Sequence, residues 1–465
     1  MRLEASGKLI QNAKFRIQNF LSSKFVRDTL TLQAGKVILT GINVLASMIV
    51  VRGLGDTGNG QYALVLTLYG LLMTLNLTGL DASTVTRLSE AVGMSNRAET
   101  CRLMAFYVQM SLLVAVAFCS IAFAAGPTLA AASYGDARIG EWMRLYALSL
   151  FVEPLYSLSL ITLQSTHTMR AYAALENGGM LLEAGLLALA VVAGGGVTGV
   201  ILARLAGVTL RAGIGVWAYR RLQARRQDAL PTVRDVLRAA RTQSPRPYWR
   251  FGMLLALDKN LSILYTLLPI QLLGMWAGEE QAGFLKLALG ALSYPALLFA
   301  GILTNLEARL PADAGRKDYV HLEDNFRRVA RWIVPLSVGV FGAFALAAPL
   351  LLWLLYGDEF IPAIPLAIIL SLYGMITGVG GIFAPVYRTL RLAREMIAIK
   401  LVSLLVVAPL GAWLIREHGA VGGAWAINLI YLLSVGLMAA VVWPRLHRLA
   451  REQKAASRQP SAMSS

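Results

Sequence analysis

The sequence predicts an all-α polytopic membrane protein with twelve transmembrane helices, built as two parallel-repeat six-helix lobes around a central cavity. Three observations carry this reading. The apolar stretches are as long as a bilayer is thick, basic residues fall in alternate loops, and the two halves of the chain echo each other. A hydrocarbon core about 30 Å thick needs roughly 20 apolar residues per helix. Stretches near 30–51, 61–81, 103–125, 142–165, 178–194, 197–218, 251–275, 284–305, 332–355, 362–386, 396–415 and 420–443 come close to that length. Lipid offers no partner to a backbone N–H or C=O, so such runs must be helical.

Apolar residues make up 57% of the chain, charged residues 15%, and the formal net charge is +17. In a soluble protein that surplus of base would point to nucleic acid. Here the positive-inside rule accounts for it, and no nucleic-acid partner is expected. Lys8, Lys14, Arg16, Lys24 and Arg27 precede the first span, and Arg87, Arg97 and Arg102 lie between spans two and three. Arg170 follows span four, Arg309, Arg316 and Lys317 follow span eight, and Arg388, Arg391 and Arg394 follow span ten. All of these share one side if the spans alternate. The opposite loops are short and hold little beyond Arg52, Arg138, Arg144 and Arg416, with acids such as Asp56, Asp136, Glu279 and Asp358. Both termini are therefore expected in the cytoplasm. For most loop arginines the ordinary role is to anchor the chain on anionic membrane lipid. The first apolar run starts too far in, and is too long, for a cleavable signal peptide. Cys101 and Cys119 form no metal or redox pattern.

Taken in order, residues 1–27 form a basic tail in which Ile10, Ala13, Ile17, Phe20 and Leu21 share a helical face. Residues 28–218 form the first lobe, 219–250 a linker, 251–443 the second lobe and 444–465 a basic cytoplasmic tail. The linker sets Val233, Val236, Leu237 and Ala240 at helical spacing among arginines, which predicts an amphipathic helix on the inner leaflet. The final Ser-, Ala- and Gln-rich residues have the composition of disordered chain.

The echo runs from Tyr134, YGDARIGEWMRLYALSL, to Tyr356, YGDEFIPAIPLAIILSL, an offset of 222 residues. The same shift carries the start of span one onto that of span seven. Both copies lead into a span of the same direction, so the repeat is parallel, with its axis along the membrane normal.

Ionisable residues inside a bilayer cost roughly 2.5–3.5 kcal/mol each on insertion scales, so each needs a reason. They are Lys36 in span one, Glu153 in four, Glu183 in five, Arg204 and Arg211 in six, Asp258 and Lys259 in seven, and Lys286 in eight. Arg204 and Arg211 stand seven residues apart, which puts them on one helix face about 10 Å from each other. A water-filled cavity lined with positive charge would accommodate them. Guanidinium binds phosphate through paired hydrogen bonds and lysine adds point charge, so Lys36, Arg204, Arg211 and Lys259 are the candidate contacts of an anionic substrate. Arg52, Arg87 and Lys286 are secondary candidates. Lys286 lies near the outer end of its span, where a lysine snorkels to the headgroups. The alternative stays open that Arg204 or Arg211 pairs with Glu153 or Glu183 simply to lock helices together. The acids Glu153, Glu183 and Asp258 are candidates for coupling to H+ or Na+. No cofactor or metal pattern is present. Prolines interrupt several spans, among them Pro154, Pro269, Pro335 and Pro409.

Residues 52–93 carry an Arg-x-Leu-Gly turn, a Gly-x-Tyr opening of span two and a Gly-Leu pair before a basic segment. Arg52, Leu54, Gly55, Gly60, Tyr62, Gly79, Leu80 and Arg87 supply this pattern. It resembles the polysaccharide transport family, the Wzx-type O-antigen and exopolysaccharide flippases. Residues 351–396 resemble that family's second characteristic stretch. The resemblance implies the multidrug/oligosaccharidyl-lipid/polysaccharide exporter fold, two six-helix lobes forming a V. It implies as substrate an undecaprenyl-pyrophosphate-linked oligosaccharide. This would pass by alternating access from the cytoplasmic to the periplasmic leaflet of a bacterial inner membrane, for a polysaccharide polymerase and chain-length complex to use. It assigns no motif to Arg204, Arg211 or Lys259, which rest on depth and charge.

Other classes compete with this reading. A multidrug or organic-cation exporter of the same fold is the alternative, and it calls for an acidic cavity rather than a basic one. A membrane polymerase or ligase would need a large outer loop, whereas the longest here, near 126–141, holds no acid/base pair or nucleophile constellation. The chain is expected to be a transporter and not an enzyme.

Overall fold

A computed structural model describes residues 24–74, 80–166, 168–242, 249–296, 319–383, 386–387, 390 and 392–456. The expected amphipathic helix in the N-terminal tail lies outside the described residues. The first lobe consists of α1 (Lys24–Thr74), α2 (Leu80–Gly93), α3 (Arg97–Tyr134), α4 (Ala137–Ala147), α5 (Glu153–Ser165), α6 (Met169–Val192) and α7 (Gly196–Arg225). The linker contributes α8 (Val233–Thr242). The second lobe consists of α9 (Trp249–Trp276), α10 (Glu279–Ala291), α11 (Tyr319–Tyr356), α12 (Ala363–Gly380) and α13 (Ala393–Ala456). Seven of the described helices are long and apolar enough to cross a membrane, and α13 carries a span on each side of a break at Gly419. The chain is an all-α membrane protein with twelve spans in two six-helix lobes.

The helices join where the backbone leaves the right-handed region. Gly55 (φ 69°) breaks α1 between spans one and two, and Gly278 (φ 93°) stands between α9 and α10. Gly135 (φ 74°) and Gly357 (φ 91°) follow α3 and α11, while Gly196 (φ 54°) and Gly419 (φ 55°) turn the last hairpin of each lobe. A side chain at positive φ is strained, so glycine is the residue these turns require. Each pair is 222 or 223 residues apart. The repeat is therefore written into the turns on the face opposite the chain termini, here called the turn face. The Gly55 break lies within the Arg-x-Leu-Gly run.

Span four is not one helix. After α4 the chain tightens into a 3₁₀ turn over Leu148–Phe151 and restarts at Glu153 with Pro154 in its first turn. Proline lacks the N–H that a helix interior needs but fits a helix start. The break leaves Glu153 at a helix N-terminus in mid-span, where the dipole favours a carboxylate. Pro269, Pro335 and Pro409 lie inside continuous helices instead.

The linker differs from the sequence expectation in two ways. α7 runs on to Arg225, past residue 218 where its apolar stretch ends, because i→i−4 hydrogen bonds continue in water. α13 likewise reaches Ala456, past 443. In addition, α8 docks on the first lobe. Val236 is buried in a cluster with Leu88, Met104, Tyr107, Tyr219 and Leu230. The Tyr219 hydroxyl donates to the Pro231 carbonyl at 2.6 Å. Thr232 and Asp235 form a capping box, with the Asp235 N–H donating to Thr232 Oγ1 at 3.2 Å and the Thr232 N–H to Asp235 Oδ2 at 3.1 Å. Arg97 of α3 adds an ion pair to the same oxygen at 3.0 Å.

These contacts give a pH prediction. Thr232's N–H and hydroxyl, and then Arg97, hold the Asp235 carboxyl below its ordinary value of 3.8. A depressed carboxylate pKa stabilises the docked helix fully above that ordinary value, and the contribution is lost as pH falls through the folded pKa. Hydrogen-exchange protection factors of amides 233–242 should fall between pH 5 and pH 3, and Asp235→Asn should abolish that dependence. Protection that is unchanged in the wild type over this range would contradict the role.

Candidate functional site

The lobes meet at the turn face through residues that the repeat relates to one another. Thr57 Oγ1 donates to Glu280 Oε1 at 3.1 Å, across 223 residues. Lys286 Nζ donates to the Ala63 carbonyl at 3.0 Å, again across 223 residues. Gly60 and Gly283 share that spacing, and a Cβ built on Gly283 would lie 2.9 Å from the Gly60 Cα. Contact between a residue and its own repeat equivalent marks the pseudo-two-fold axis, which runs between spans two and eight. Gln61 adds a bond to Glu279 at 3.2 Å. Arg52 closes the rim by donating from Nε to the Leu355 carbonyl at 2.8 Å, and from Nη2 to Leu354. A guanidinium there satisfies the orphan carbonyls at the C-terminal end of α11 and complements its dipole.

Below this closure lies a cavity of about 380 Å³. Sequence reasoning placed it between the lobes. Most of its described lining comes from spans one, two, four, five and six of the first lobe, and α10 of the second lobe closes its mouth with Gly283, Lys286, Leu287 and Gly290. Glu183, Arg204, Arg211, Glu153 and Lys286 all line it.

Arg204 and Arg211 do share a face of α7, and both reach across to α6. Arg204 Nη1 meets Glu183 Oε1 at 3.1 Å, and Arg211 Nη1 meets Glu183 Oε2 at 3.0 Å. Two glycines permit this. Gly207, midway along α7 between the arginines, lets Glu183 pass directly over it, since a Cβ there would lie 3.2 Å from Glu183 Cγ. Gly179 on α6 leaves room for Arg211, whose Cδ would lie 2.9 Å from an added Cβ. Arg204 Nε also donates to the Tyr62 hydroxyl, and the Arg211 guanidinium lies 5.2 Å from the centre of the Tyr156 ring. The pairing alternative thus holds for Glu183, and the same cluster faces the cavity.

Lys286 departs from the snorkelling expectation. Its ammonium is turned inward and satisfied by the Ala63 carbonyl and by Thr67 Oγ1 at 3.4 Å. Arg52 belongs to the rim, and Arg87, half-buried on α2, does not line the cavity. Lys36 lies on α1, and Asp258 and Lys259 on α9, but their side chains lie outside the described residues. Sequence reasoning did not single out Tyr62, Tyr146 and Tyr156 as site residues. Tyr62 had a signal, since it is the tyrosine of the Gly-x-Tyr run, whereas the other two had none.

Comparison with known proteins agrees with this architecture. The family model described as polysaccharide biosynthesis protein matches residues 49–365, more than half of the chain. No curated protein matches by sequence. A multidrug resistance MATE family transporter of the MOP superfamily, solved in an inward-facing conformation, superposes with a TM-score of 0.67 at 16% identity. The match covers 89% of this chain and 96% of that one. A MOP superfamily transporter from Pyrococcus furiosus is described as having a binding pocket of reverse polarity that suggests a different function. It superposes at 0.65 and 17% identity, covering 91% and 95%. A MATE protein in complex with MaL6 superposes at 0.66 and 16% identity, covering 91% and 97%. These likenesses establish the fold, two helical lobes arranged as in those MATE and MOP superfamily transporters. The sequence match over residues 49–365 shows that the chain belongs to the polysaccharide biosynthesis protein family.

Proposed function

We propose that this protein is a transporter, a flippase for undecaprenyl-pyrophosphate-linked oligosaccharide that carries it from the cytoplasmic to the periplasmic leaflet of a bacterial inner membrane. The observation that carries the reading is the cluster of Arg204, Arg211 and Lys286 facing one cavity, in a chain of the polysaccharide biosynthesis family. Two guanidiniums with the Lys286 amine beside them set several hydrogen-bond donors on one wall of the cavity, which suits a diphosphate better than an organic cation. With both termini in the cytoplasm, the closed turn face is periplasmic and the cavity is the inward-facing one. Diphosphate and sugars enter it while the polyprenyl chain remains in lipid. The lobes then rock about the axis between spans two and eight, the turn-face contacts part, and the product is released to a polymerase.

The test uses purified protein in liposomes carrying the polyprenyl-pyrophosphate oligosaccharide, with a glycan-cleaving enzyme outside and an imposed proton or sodium gradient. Protein-dependent exposure of the glycan is expected. Replacing Arg204, Arg211 and Glu183 together by glutamine should abolish exposure while the protein stays folded, because the whole charged group is removed at once. Absence of any exposure, with uptake of an organic cation in its place, would move the assignment to drug export.

A further inference from the structure

Glu183 offers one carboxylate oxygen to each arginine, at 3.1 Å and 3.0 Å. A group that bridges two guanidiniums through two oxygens occupies the position in which they would grip a phosphate. Two features distinguish this from a helix clamp. The cluster faces the cavity rather than lipid. And Arg211 Nε, though buried, has no hydrogen-bond partner among the described residues, so the guanidinium keeps a donor that Glu183 does not use.

We infer that Glu183 is an internal counter-ion that closes the Arg204–Arg211 pair to weak anions, and that the substrate's diphosphate must displace it to bind. This rests on the flippase reading above. A tethered carboxylate acts at an effective concentration on the order of millimolar or more, so a single free carboxylate or chloride competes poorly with it. A diphosphate, with several charges and oxygens, can bridge both arginines and reach the unused Nε as well. The apparent affinity is then the intrinsic affinity reduced by the fraction of time the arginines are free. Glu183 would thus set selectivity for diphosphate without touching the substrate itself.

The experiment measures binding of inorganic pyrophosphate and of orthophosphate to the full chain in detergent by calorimetry. Glu183→Gln keeps the side-chain shape and one acceptor but releases the charge. It should bind pyrophosphate about tenfold tighter than the wild type, and its preference for pyrophosphate over orthophosphate should shrink. Equal or weaker binding by the variant overturns the inference. A second measurement needs no variant: carbodiimide labelling of Glu183 in the wild type should rise when pyrophosphate is present. Unchanged labelling at a saturating concentration also overturns it. If the wild type binds pyrophosphate and the variant gains nothing, the internal counter-ion fails while the flippase reading stands. If neither protein binds pyrophosphate or the polyprenyl diphosphate lipid, the flippase reading itself fails.

Discussion

Gly60→Val should stop transport while leaving each lobe folded. Gly60 packs against α10 so closely that an added Cβ would collide with the Glu279 carbonyl, and Gly283 opposite approaches the Gly60 Cα in turn. Both obstacles are backbone, so no side-chain rotation relieves the clash. The helices must separate, and they meet on the axis that relates the two lobes. Overpacking of this kind costs about 1–3 kcal/mol. If the turn face opens as proposed, the clash exists only while it is closed, and a bias of that size moves the equilibrium about 5–150-fold. Cysteines at Thr57 and Glu280, whose side chains touch in the closed state, report the outcome in a background lacking Cys101 and Cys119. Cross-linking should fall sharply with Gly60→Val and hold with Gly339→Val, where nothing lies within 4 Å of an added Cβ. Native cross-linking and native transport in the Gly60 variant would show that the lobes do not close through this contact.

Glu183→Ala should destabilise the first lobe more than any single arginine substitution in the cluster. The carboxylate serves two guanidiniums, and only 11% of the Arg211 side chain is exposed. Removing one partner of a buried ion pair costs about 3–5 kcal/mol, since an uncompensated charge is left behind. Arg204→Ala is milder, because Glu183 keeps Arg211. Replacing all three residues by glutamine should recover most of the loss, as removal of a whole buried network is often close to neutral. Thermal unfolding in detergent, with the yield of inserted protein, ranks the variants. If Glu183→Ala melts with the wild type, the arginines are satisfied without it.

Much of the architecture was legible in the sequence. Span lengths mark the helices, because a bilayer has one thickness and every backbone group in it must be bonded. The Tyr-Gly-Asp echo marks the repeat, and in the structure it falls on Gly135 and Gly357, both at positive φ. The seven-residue spacing of Arg204 and Arg211 placed them on one face, since helix geometry is local. The partners of those charges were not legible. Glu153 and Glu183 were equal candidates for the arginines, and the choice of Glu183 follows from close packing at Gly179 and Gly207, which span depth does not encode. Lys286 read as a residue near the headgroups. It turns inward because the Ala63 carbonyl and Thr67 of the other lobe lie within reach.

The sequence by itself determined the membrane class, the number of spans and the parallel repeat, because hydropathy and helical periodicity act over neighbouring residues. Only the tertiary structure decided that the first lobe supplies most of the described cavity lining, that one carboxylate bridges two arginines, that Arg52 serves the rim, and that the lobes meet at Gly60 and Gly283. Each of these depends on which side chains from distant spans come within about 3–4 Å, and that is set by how the helices pack rather than by where they begin and end.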